Sequence, residues 1–253
     1  MLADRTGAGR PIAFAPMDEP VVILCGGRGT RLREHTQTIP KPLVEIGGRP
    51  ILWHVIRIYA AQGFSRFVLC LGHQGNLIED FVRNDGLPED ISVECVQTGE
   101  DTPTGGRIAR VRDRIEDGRF CATYADGVAD IDLHALADFH AQHGALATMT
   151  VVQPELQFGV ARLNGEGVVQ GFEEKPQFDG WINGGFFVFE PGALDYIHDD
   201  DVLERRPLEQ LAADGQLRAY RHTGFWDCMD TYKDAVLLND LWEAGRAPWK
   251  ESA

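Results

Sequence analysis

A glycine-rich segment followed by two cations is the part of this sequence best suited to chemistry. Gly26, Gly27 and Gly29 come directly after a short apolar run, and Arg31 and Lys41 follow them along the chain. Glycines placed after a buried strand let backbone N–H groups approach a phosphate chain, because no Cβ stands in the way. Two fixed positive charges beside such a turn would add an electrostatic attraction for the phosphates. The segment therefore predicts a binding site for the phosphates of a nucleoside triphosphate.

Other glycine motifs fit the segment less well. A P-loop requires a lysine at a set distance after its glycines, and none stands there. A dinucleotide fingerprint requires a third glycine where this chain has Leu32. A plain turn between a strand and a helix remains the simplest alternative, and the presence of Thr30, Arg31 and Lys41 favours the phosphate site over it.

Two aspartates can supply oxygen ligands for a metal ion. Asp126 follows the apolar run 120–124, where a carboxylate can hold Mg²⁺ beside a triphosphate, or where Asp-Gly can simply form a turn. Asp230 can be a second carboxylate for the same ion, or the N-cap of the helix predicted after it.

Residues further along the chain are suited to holding a sugar phosphate. Glu174 and Lys175 stand before a proline, either as ligands of a substrate or as an ordinary surface ion pair. Asn183 precedes two glycines and the apolar run 186–189. These glycines can let a sugar lie against the backbone or can merely form a turn.

Composition excludes several classes of protein. The 253 residues carry 24 basic and 39 acidic side chains, a net charge of −15, and no basic stripe that would bind nucleic acid. No apolar stretch is long enough to span a membrane, and the histidines lack zinc-binding spacing. The five cysteines contain no C-x-x-C pair, which is typical of a reducing cytoplasm. We expect a flexible tail over residues 1–19 and a single domain over residues 20–253.

Apolar periodicity predicts alternating strands and helices. The predicted strands are 21–25, 67–71, 91–96, 120–124 and 147–152, and the predicted helices are 51–61, 76–83, 106–115 and 133–143. This alternation predicts an α/β fold with a doubly wound, mostly parallel sheet, whose ligands bind beyond the carboxyl ends of the strands. The runs 158–163, 168–173 and 185–189 predict an antiparallel subregion. His54 and Arg57 lie off the apolar stripe of the first helix, so we expect both at the surface.

Several segments together resemble one enzyme family, the sugar-1-phosphate nucleotidyltransferases. The glycine segment through Lys41 and the Glu174-Lys175-Pro176 step are similar to the two signatures of that family. Longer similar stretches are KPLVEIGGRPILWHV (41–55), TGGRIARV (104–111), DGVADID (126–132), INGGFFVF (182–189), GFWDCMDT (224–231) and LWEAGRAPWK (241–250). The resemblance spans residues 20–250 and implies a Rossmann-like nucleotidyltransferase fold with an antiparallel sugar-binding subregion.

The resemblance also implies a reaction. Within the family the sequence is most similar to enzymes that combine CTP with α-D-glucose 1-phosphate, with Mg²⁺ as cofactor, to give CDP-glucose and pyrophosphate. UTP or dTTP, or another sugar 1-phosphate, remain alternatives, as does a sensor that binds a sugar nucleotide without making it. A homo-oligomer in the cytoplasm that serves deoxysugar biosynthesis is expected, with the nucleotide and the sugar phosphate as its small-molecule partners.

Roles for individual residues follow from the same resemblance. The implied nucleotide-binding residues are Leu24, Gly26, Gly27, Gly29, Thr30, Gly105, Gly106 and Arg107. The implied sugar-phosphate ligands are Gly159, Glu174, Lys175 and Asn183. The implied catalytic cations are Arg31, Lys41 and Lys175, with Arg31 on the departing pyrophosphate and Lys41 near the α-phosphate. The implied metal ligands are Asp126 and Asp230.

Overall fold

The computed structural model of the chain describes residues 16–29, 39–84 and 87–250. A central sheet has seven strands: β1 (Val21–Leu24), β4 (Arg66–Leu71), β5 (Ser92–Gln97), β6 (Phe120–Tyr124), β8 (Ala147–Val152), β11 (Ile182–Phe189) and β12 (Leu217–Arg221). Three smaller pairs are formed by β2 (Glu45–Ile46) with β3 (Arg49–Pro50), β7 (Gly127–Ala129) with β13 (Trp226–Cys228), and β9 (Val160–Leu163) with β10 (Val169–Glu173).

The order of the central strands is β12-β8-β11-β6-β1-β4-β5. Neighbours run parallel except at β11, which is antiparallel to both β6 and β8. The predicted doubly wound, mostly parallel sheet is confirmed. Because β1, β4, β5 and β6 are mutually parallel, their carboxyl ends meet at one edge, where such folds bind ligands.

Helices cover both faces of this sheet. They are α1 (Ile51–Ala60), α2 (Gly75–Asn84), α3 (Thr104–Ala109), α4 (Leu133–His143), α5 (Arg206–Ala213) and α6 (Tyr232–Glu243). Side chains of a strand alternate between faces, so Val21 and Ile23 enter the core beneath α1 whereas Val22 and Leu24 enter the core beneath α3. A strand buried on both faces needs apolar residues throughout, which explains the uninterrupted run at β1.

Two predicted elements differ from the structure. The helix predicted over 106–115 begins earlier and ends at Ala109, and a short 3₁₀ turn, Arg112–Arg114, follows it. Val111 has φ −111° and ψ 14°, outside helical geometry, so the hydrogen-bond ladder stops there. The run 185–189 is an antiparallel strand, as predicted, but it is part of β11 in the central sheet and does not join the β9–β10 pair.

His54 is buried, which corrects the expectation of a surface position. Its Nε2 lies 2.8 Å from the carbonyl oxygen of Ile46, and the Nε1–H of the fully buried Trp249 donates to its Nδ1 at 3.3 Å. Burial lowers the pKa of His54 despite the backbone hydrogen bonds. A neutral imidazole with paired nitrogens can be buried at little cost, a possibility that the apolar periodicity of α1 could not reveal.

The β9–β10 pair forms an antiparallel ribbon outside the central sheet, as predicted for this part of the chain. At the other end of the fold, Met17 pairs with Phe64 in an isolated bridge, and residues 1–15 of the predicted tail lie outside the described residues. Within the described part of the chain, no helix has the length and apolar character needed to cross a membrane.

Candidate active site

A cavity of about 430 Å³ opens at the carboxyl edge of the central sheet. Its lining residues are Leu24, Cys25, Gly26, Gly27, Gly29, Lys41, Pro42, Thr102, Pro103, Thr104, Arg107, Tyr124, Ala125, Asp126 and Asp230. The predicted phosphate loop and both predicted metal ligands therefore face one space, although more than two hundred positions of sequence separate Gly26 from Asp230.

The glycine loop, residues 26–29, is held in place by Arg107. The buried guanidinium donates to the carbonyl oxygens of Gly26, Leu71 and Gly99, each at 2.9 Å, and so ties the loop to the ends of two other strands. A Cβ at Gly26 would lie 2.0 Å from Cζ of Arg107, so any larger residue there would have to displace the guanidinium. In this structure Arg107 supports the loop from the cavity wall, and its predicted contact with a nucleotide stays a prediction.

Gly105 and Gly106 are buried behind the cavity and do not line it. A Cβ at Gly106 would lie 2.0 Å from the carbonyl oxygen of Asp199, and a Cβ at Gly105 would lie 2.8 Å from that of Asp201. These glycines let the start of α3 pack against the backbone of the segment that carries Asp199 and Asp201. Asp201 is itself buried and paired with Arg206.

Lys41, Asp126 and Asp230 meet at the centre of the cavity. Nζ of Lys41 lies 2.5 Å from Oδ2 of Asp126 and 2.6 Å from Oδ1 of Asp230. Pairing of β7 with β13 brings the two aspartates together, because Cys228 opposes Gly127 and the N–H of Met229 donates to the carbonyl of Asp126 at 2.9 Å. Lys41 begins a 3₁₀ turn, Lys41–Leu43, that points its side chain at this pair.

Charge dominates the behaviour of Lys41. Burial alone would lower its pKa, but the adjacent carboxylates of Asp126 and Asp230 outweigh that effect and raise the Lys41 pKa above its ordinary value. Lys41 therefore stays an ammonium ion at any physiological pH.

The helix-cap alternative for Asp230 is wrong. Thr231 is the N-cap of α6, and its side chain and that of Asp234 form a reciprocal capping box. Asp234 also accepts a hydrogen bond from the N–H of Asp230. The Asp230 carboxylate instead faces Lys41 in the cavity.

The donor set at this point suits Mg²⁺. Two carboxylates already share one cation, the ammonium of Lys41, and hard oxygen ligands are the ones that Mg²⁺ prefers. Over the residues that the structure describes, no cluster of three or more histidine, cysteine or acidic side chains could hold a metal ion. Mg²⁺ is commonly held by one or two carboxylates together with substrate phosphates, and Asp126 and Asp230 fit that pattern.

The predicted sugar ligands lie outside the lining of this cavity. A Cβ at Gly159 would lie 2.7 Å from Oε2 of Glu174, so these two predicted residues are neighbours beside the ribbon. Glu174 and Lys175 are exposed. Lys175 has φ +49°, which is unusual and costly for a residue other than glycine and often marks a functional position. Asn183 is closer to the cavity, because its Nδ2 donates to the Tyr124 hydroxyl at 3.0 Å.

Some residues that line the cavity were not predicted from the sequence, and two predicted ligands cannot be placed in it. Thr104 and Tyr124 line the cavity, and Glu204 hydrogen-bonds to both. Thr104 lies inside one of the similar stretches, which was the available signal, but nothing in the sequence linked Glu204 to it. The predicted ligands Thr30 and Arg31 lie outside the described residues.

Fold and site together define a class of enzyme. The profile of the nucleotidyl transferase family matches residues 20–244, and the chain belongs to that family.

Within this family, the chain is similar to two glucose-1-phosphate cytidylyltransferases. Glucose-1-phosphate cytidylyltransferase of Salmonella typhimurium is 44% identical over 252 residues, covering 90% of this chain and 98% of that protein. Probable glucose-1-phosphate cytidylyltransferase of Bacillus subtilis is 42% identical over 250 residues, with the same two coverages of 90% and 98%. Among solved structures, HddC from Yersinia pseudotuberculosis has a TM-score of 0.69 at 25% identity, over 88% of this chain and 99% of its own.

Proposed function

We propose that this chain transfers a cytidylyl group from CTP to α-D-glucose 1-phosphate, giving CDP-glucose and pyrophosphate. The observation that carries this proposal is the cavity in which the glycine loop, Lys41, Asp126 and Asp230 converge. The choice of CTP and glucose 1-phosphate rests on the 44% identity to the Salmonella cytidylyltransferase along nearly its whole length.

The chemistry needs charge neutralisation above all. An oxygen of the sugar phosphate attacks the α-phosphorus in line with the departing pyrophosphate, and both reactants are anions that repel each other. The attacking phosphate needs no general base, because its second pKa is about 6 and it is already ionised near pH 7. Catalysis then depends on holding two anions together in the correct line. A loop of backbone N–H groups beside a half-buried ammonium ion is suited to that task.

On the nucleotide side, we assign phosphate binding to the glycine loop and Thr30, and the departing pyrophosphate to Arg31. Lys41 neutralises the α-phosphate as the sugar phosphate approaches. Asp126 and Asp230 would hold Mg²⁺, which would offset negative charge on the phosphates. Once phosphates enter, the ammonium of Lys41 has partners other than the two aspartates.

Three further assignments keep the nucleotide against the cavity wall. Leu24 ends β1 two residues before Gly26 and lines the cavity. Arg107 supports the carbonyl of Gly26, and Gly105 and Gly106 set the start of α3 beside the space where the base and ribose would lie.

On the sugar side, Glu174 and Gly159 lie together and Lys175 is held in a strained conformation beside them. The loop that carries Lys175 is tied to residues 154–156, because the N–H of Leu156 donates to the carbonyl of Pro176 at 2.9 Å. We assign the sugar hydroxyls to Glu174 and Asn183, with Gly159 leaving room for the sugar. We assign the phosphate of the sugar to Lys175.

Pyrophosphate release tests the proposal. The purified protein, with Mg²⁺ and each pair from a panel of CTP, UTP, dTTP and GTP with glucose 1-phosphate and mannose 1-phosphate, should be most active with CTP and glucose 1-phosphate. The double variant Asp126→Asn, Asp230→Asn should be inactive and should serve as the background. Activity with a different pair would correct the substrate assignment. Silence with every pair, combined with measurable binding of CDP-glucose, would favour the sensor instead.

We also propose that the protein works as a homo-oligomer in the cytoplasm. Apolar side chains on and beside the ribbon support association, since Phe158 is 80% exposed and Phe172 is 65% exposed. The five cysteines are all free, which agrees with a reducing compartment. Light scattering on the purified protein measures the number of subunits, and a single subunit would contradict the first part.

A further inference from the structure

Glu204 connects two walls of the cavity although it lies outside the lining. Its Oε2 accepts a hydrogen bond from Oγ1 of Thr104 at 2.7 Å, and its Oε1 accepts one from the hydroxyl of Tyr124. Thr104 is the first residue of α3, whereas Tyr124 is the last residue of β6. One carboxylate therefore links the start of a helix to the end of a strand of the central sheet.

The hydrogen bonds around Glu204 all run toward its carboxylate. Oγ1 of Thr104 accepts from the N–H of Leu203 at 2.9 Å, so its own proton is free to go to Glu204. The Tyr124 hydroxyl accepts from Nδ2 of Asn183 at 3.0 Å, so its proton also goes to Glu204. Burial, and then the charge of Glu204, raise the pKa of Tyr124, which keeps that hydroxyl a donor. Two donors thus converge on one residue, and a carboxylate is the side chain that can accept from both.

The connected elements carry the assigned site residues. β6 continues directly into Ala125 and Asp126, so the position of Tyr124 bears on the metal ligand two residues later. Asn183 is an assigned sugar ligand, and its Oδ1 is already used by the N–H of Gly185 at 2.8 Å. The start of α3 lies on the opposite, nucleotide side. A shift of one wall against the other would misalign the two substrates without removing any ligand.

We propose that Glu204 is a positioning residue that sets the alignment of the nucleotide with the sugar phosphate. This inference rests on the proposed function, because the two walls are assigned to the two substrates there. Glu204 acts through Thr104 and Tyr124 and contacts neither substrate. In-line displacement is sensitive to such alignment, since a misplacement of about 1 Å can cost about a hundredfold in rate.

The test is steady-state kinetics of Glu204→Gln beside Glu209→Gln, an exposed glutamate on the neighbouring helix α5. Glutamine cannot accept from both hydroxyls through its two side-chain atoms, so one wall is released. We expect kcat of Glu204→Gln to fall about tenfold to a hundredfold, with KM for CTP and for glucose 1-phosphate each changing less than about threefold. The melting temperature should match that of Glu209→Gln, because Glu204 is exposed.

A double-mutant cycle with Tyr124→Phe distinguishes a positioning role through Tyr124 from a loss of activity that is independent of this hydrogen bond. If Glu204 acts through Tyr124, the double variant should be little slower than the slower single variant. A kcat for Glu204→Gln within twofold of the Glu209→Gln control would overturn the inference while leaving the proposed function intact. Fully multiplicative losses in the cycle would also overturn it. A wild-type protein that is silent across the substrate panel would remove the proposed function and this inference with it.

Discussion

The two halves of the site are built on different kinds of structure. Lys41, Asp126 and Asp230 meet beside a sheet that is buried on both faces, and a guanidinium locks the adjacent glycine loop. Glu174 and Lys175 instead follow a two-stranded ribbon, are exposed, and lie outside the lining of the cavity. The first half is organised before any substrate arrives, and the second depends on local backbone geometry.

This difference fits the two tasks. Repelling phosphates must be held within a fraction of an ångström, which favours groups on rigid strand ends. The hexose ring of the sugar phosphate is neutral, and hydrogen bonds from a surface that adjusts can bind it. Changes on the nucleotide side should therefore affect rate and stability together, whereas changes on the ribbon should affect binding of one substrate alone.

The largest effect is expected at Lys41. Lys41→Met should lower kcat/KM by about a hundredfold to a thousandfold, by analogy with loss of one oxyanion donor. The same variant, free of nucleotide, should bind Mn²⁺ more tightly than the wild type, because the ammonium that occupies the space between Asp126 and Asp230 is gone. Titration of Mn²⁺ followed by electron paramagnetic resonance measures this. Lys250→Met is the control, and an unchanged Mn²⁺ affinity would contradict the placement of Lys41.

The next effect is a loss of stability when Arg107 can no longer hydrogen-bond to the glycine loop. Gly26→Ala would force the Arg107 guanidinium aside and leave buried carbonyls unpaired, so we expect a loss of about 2–3 kcal/mol in the free energy of unfolding. Gly27→Ala is a matched control, because a Cβ there meets nothing within 4 Å. It should change stability by less than about 0.5 kcal/mol. Urea unfolding of both variants measures the difference, and equal stability would show that the loop is not locked.

A smaller effect is expected on the ribbon side. Lys175→Met should raise KM for glucose 1-phosphate about tenfold to a hundredfold, the range set by losing a hydrogen bond to a charged group. The dissociation constant for CTP and the melting temperature should stay unchanged, because the side chain is exposed. Lys233→Met is the control for the loss of one positive charge; Lys233 donates a hydrogen bond to Gln157 at 2.9 Å. A parallel loss of CTP affinity would show that the two halves are not separate.

The smallest effect is a pH dependence at Asp227, three residues before Asp230. Burial raises the pKa of Asp227, on β13, to about 6. Its folded pKa lies above its unfolded value, so the wild type loses stability as pH rises from about 4 through about 6. Asp227→Asn should remove this loss and be more stable than the wild type at pH 8 by about 1–2 kcal/mol, after allowance for solvent screening. Urea unfolding at pH 4 and pH 8 measures it, with Asp117→Asn as control; a difference that does not grow with pH would count against burial as the cause.

Strong local patterns explain which parts of the fold were predictable. β1, β6, β8 and α4 follow from apolar runs and caps, because both faces of the strands are buried and Asp132 and Gly144 end the helix cleanly. The end of α3 was not predictable, since Val111 keeps helical spacing in the sequence while its backbone leaves the helix. His54 was misplaced for a related reason: its partner Trp249 is almost two hundred residues away.

The sequence alone determined that a strand, a glycine turn, two cations and two aspartates are present in an order typical of nucleotidyl transferases. Local rules sufficed for that, because turns and strand ends depend on neighbouring residues. Only the tertiary structure decided that Asp230 faces Lys41 while Thr231 caps the helix, that Arg107 supports the loop, and that Glu204 joins Thr104 to Tyr124. Those contacts join residues up to 189 positions apart, and chain folding, rather than local preference, brings such residues together.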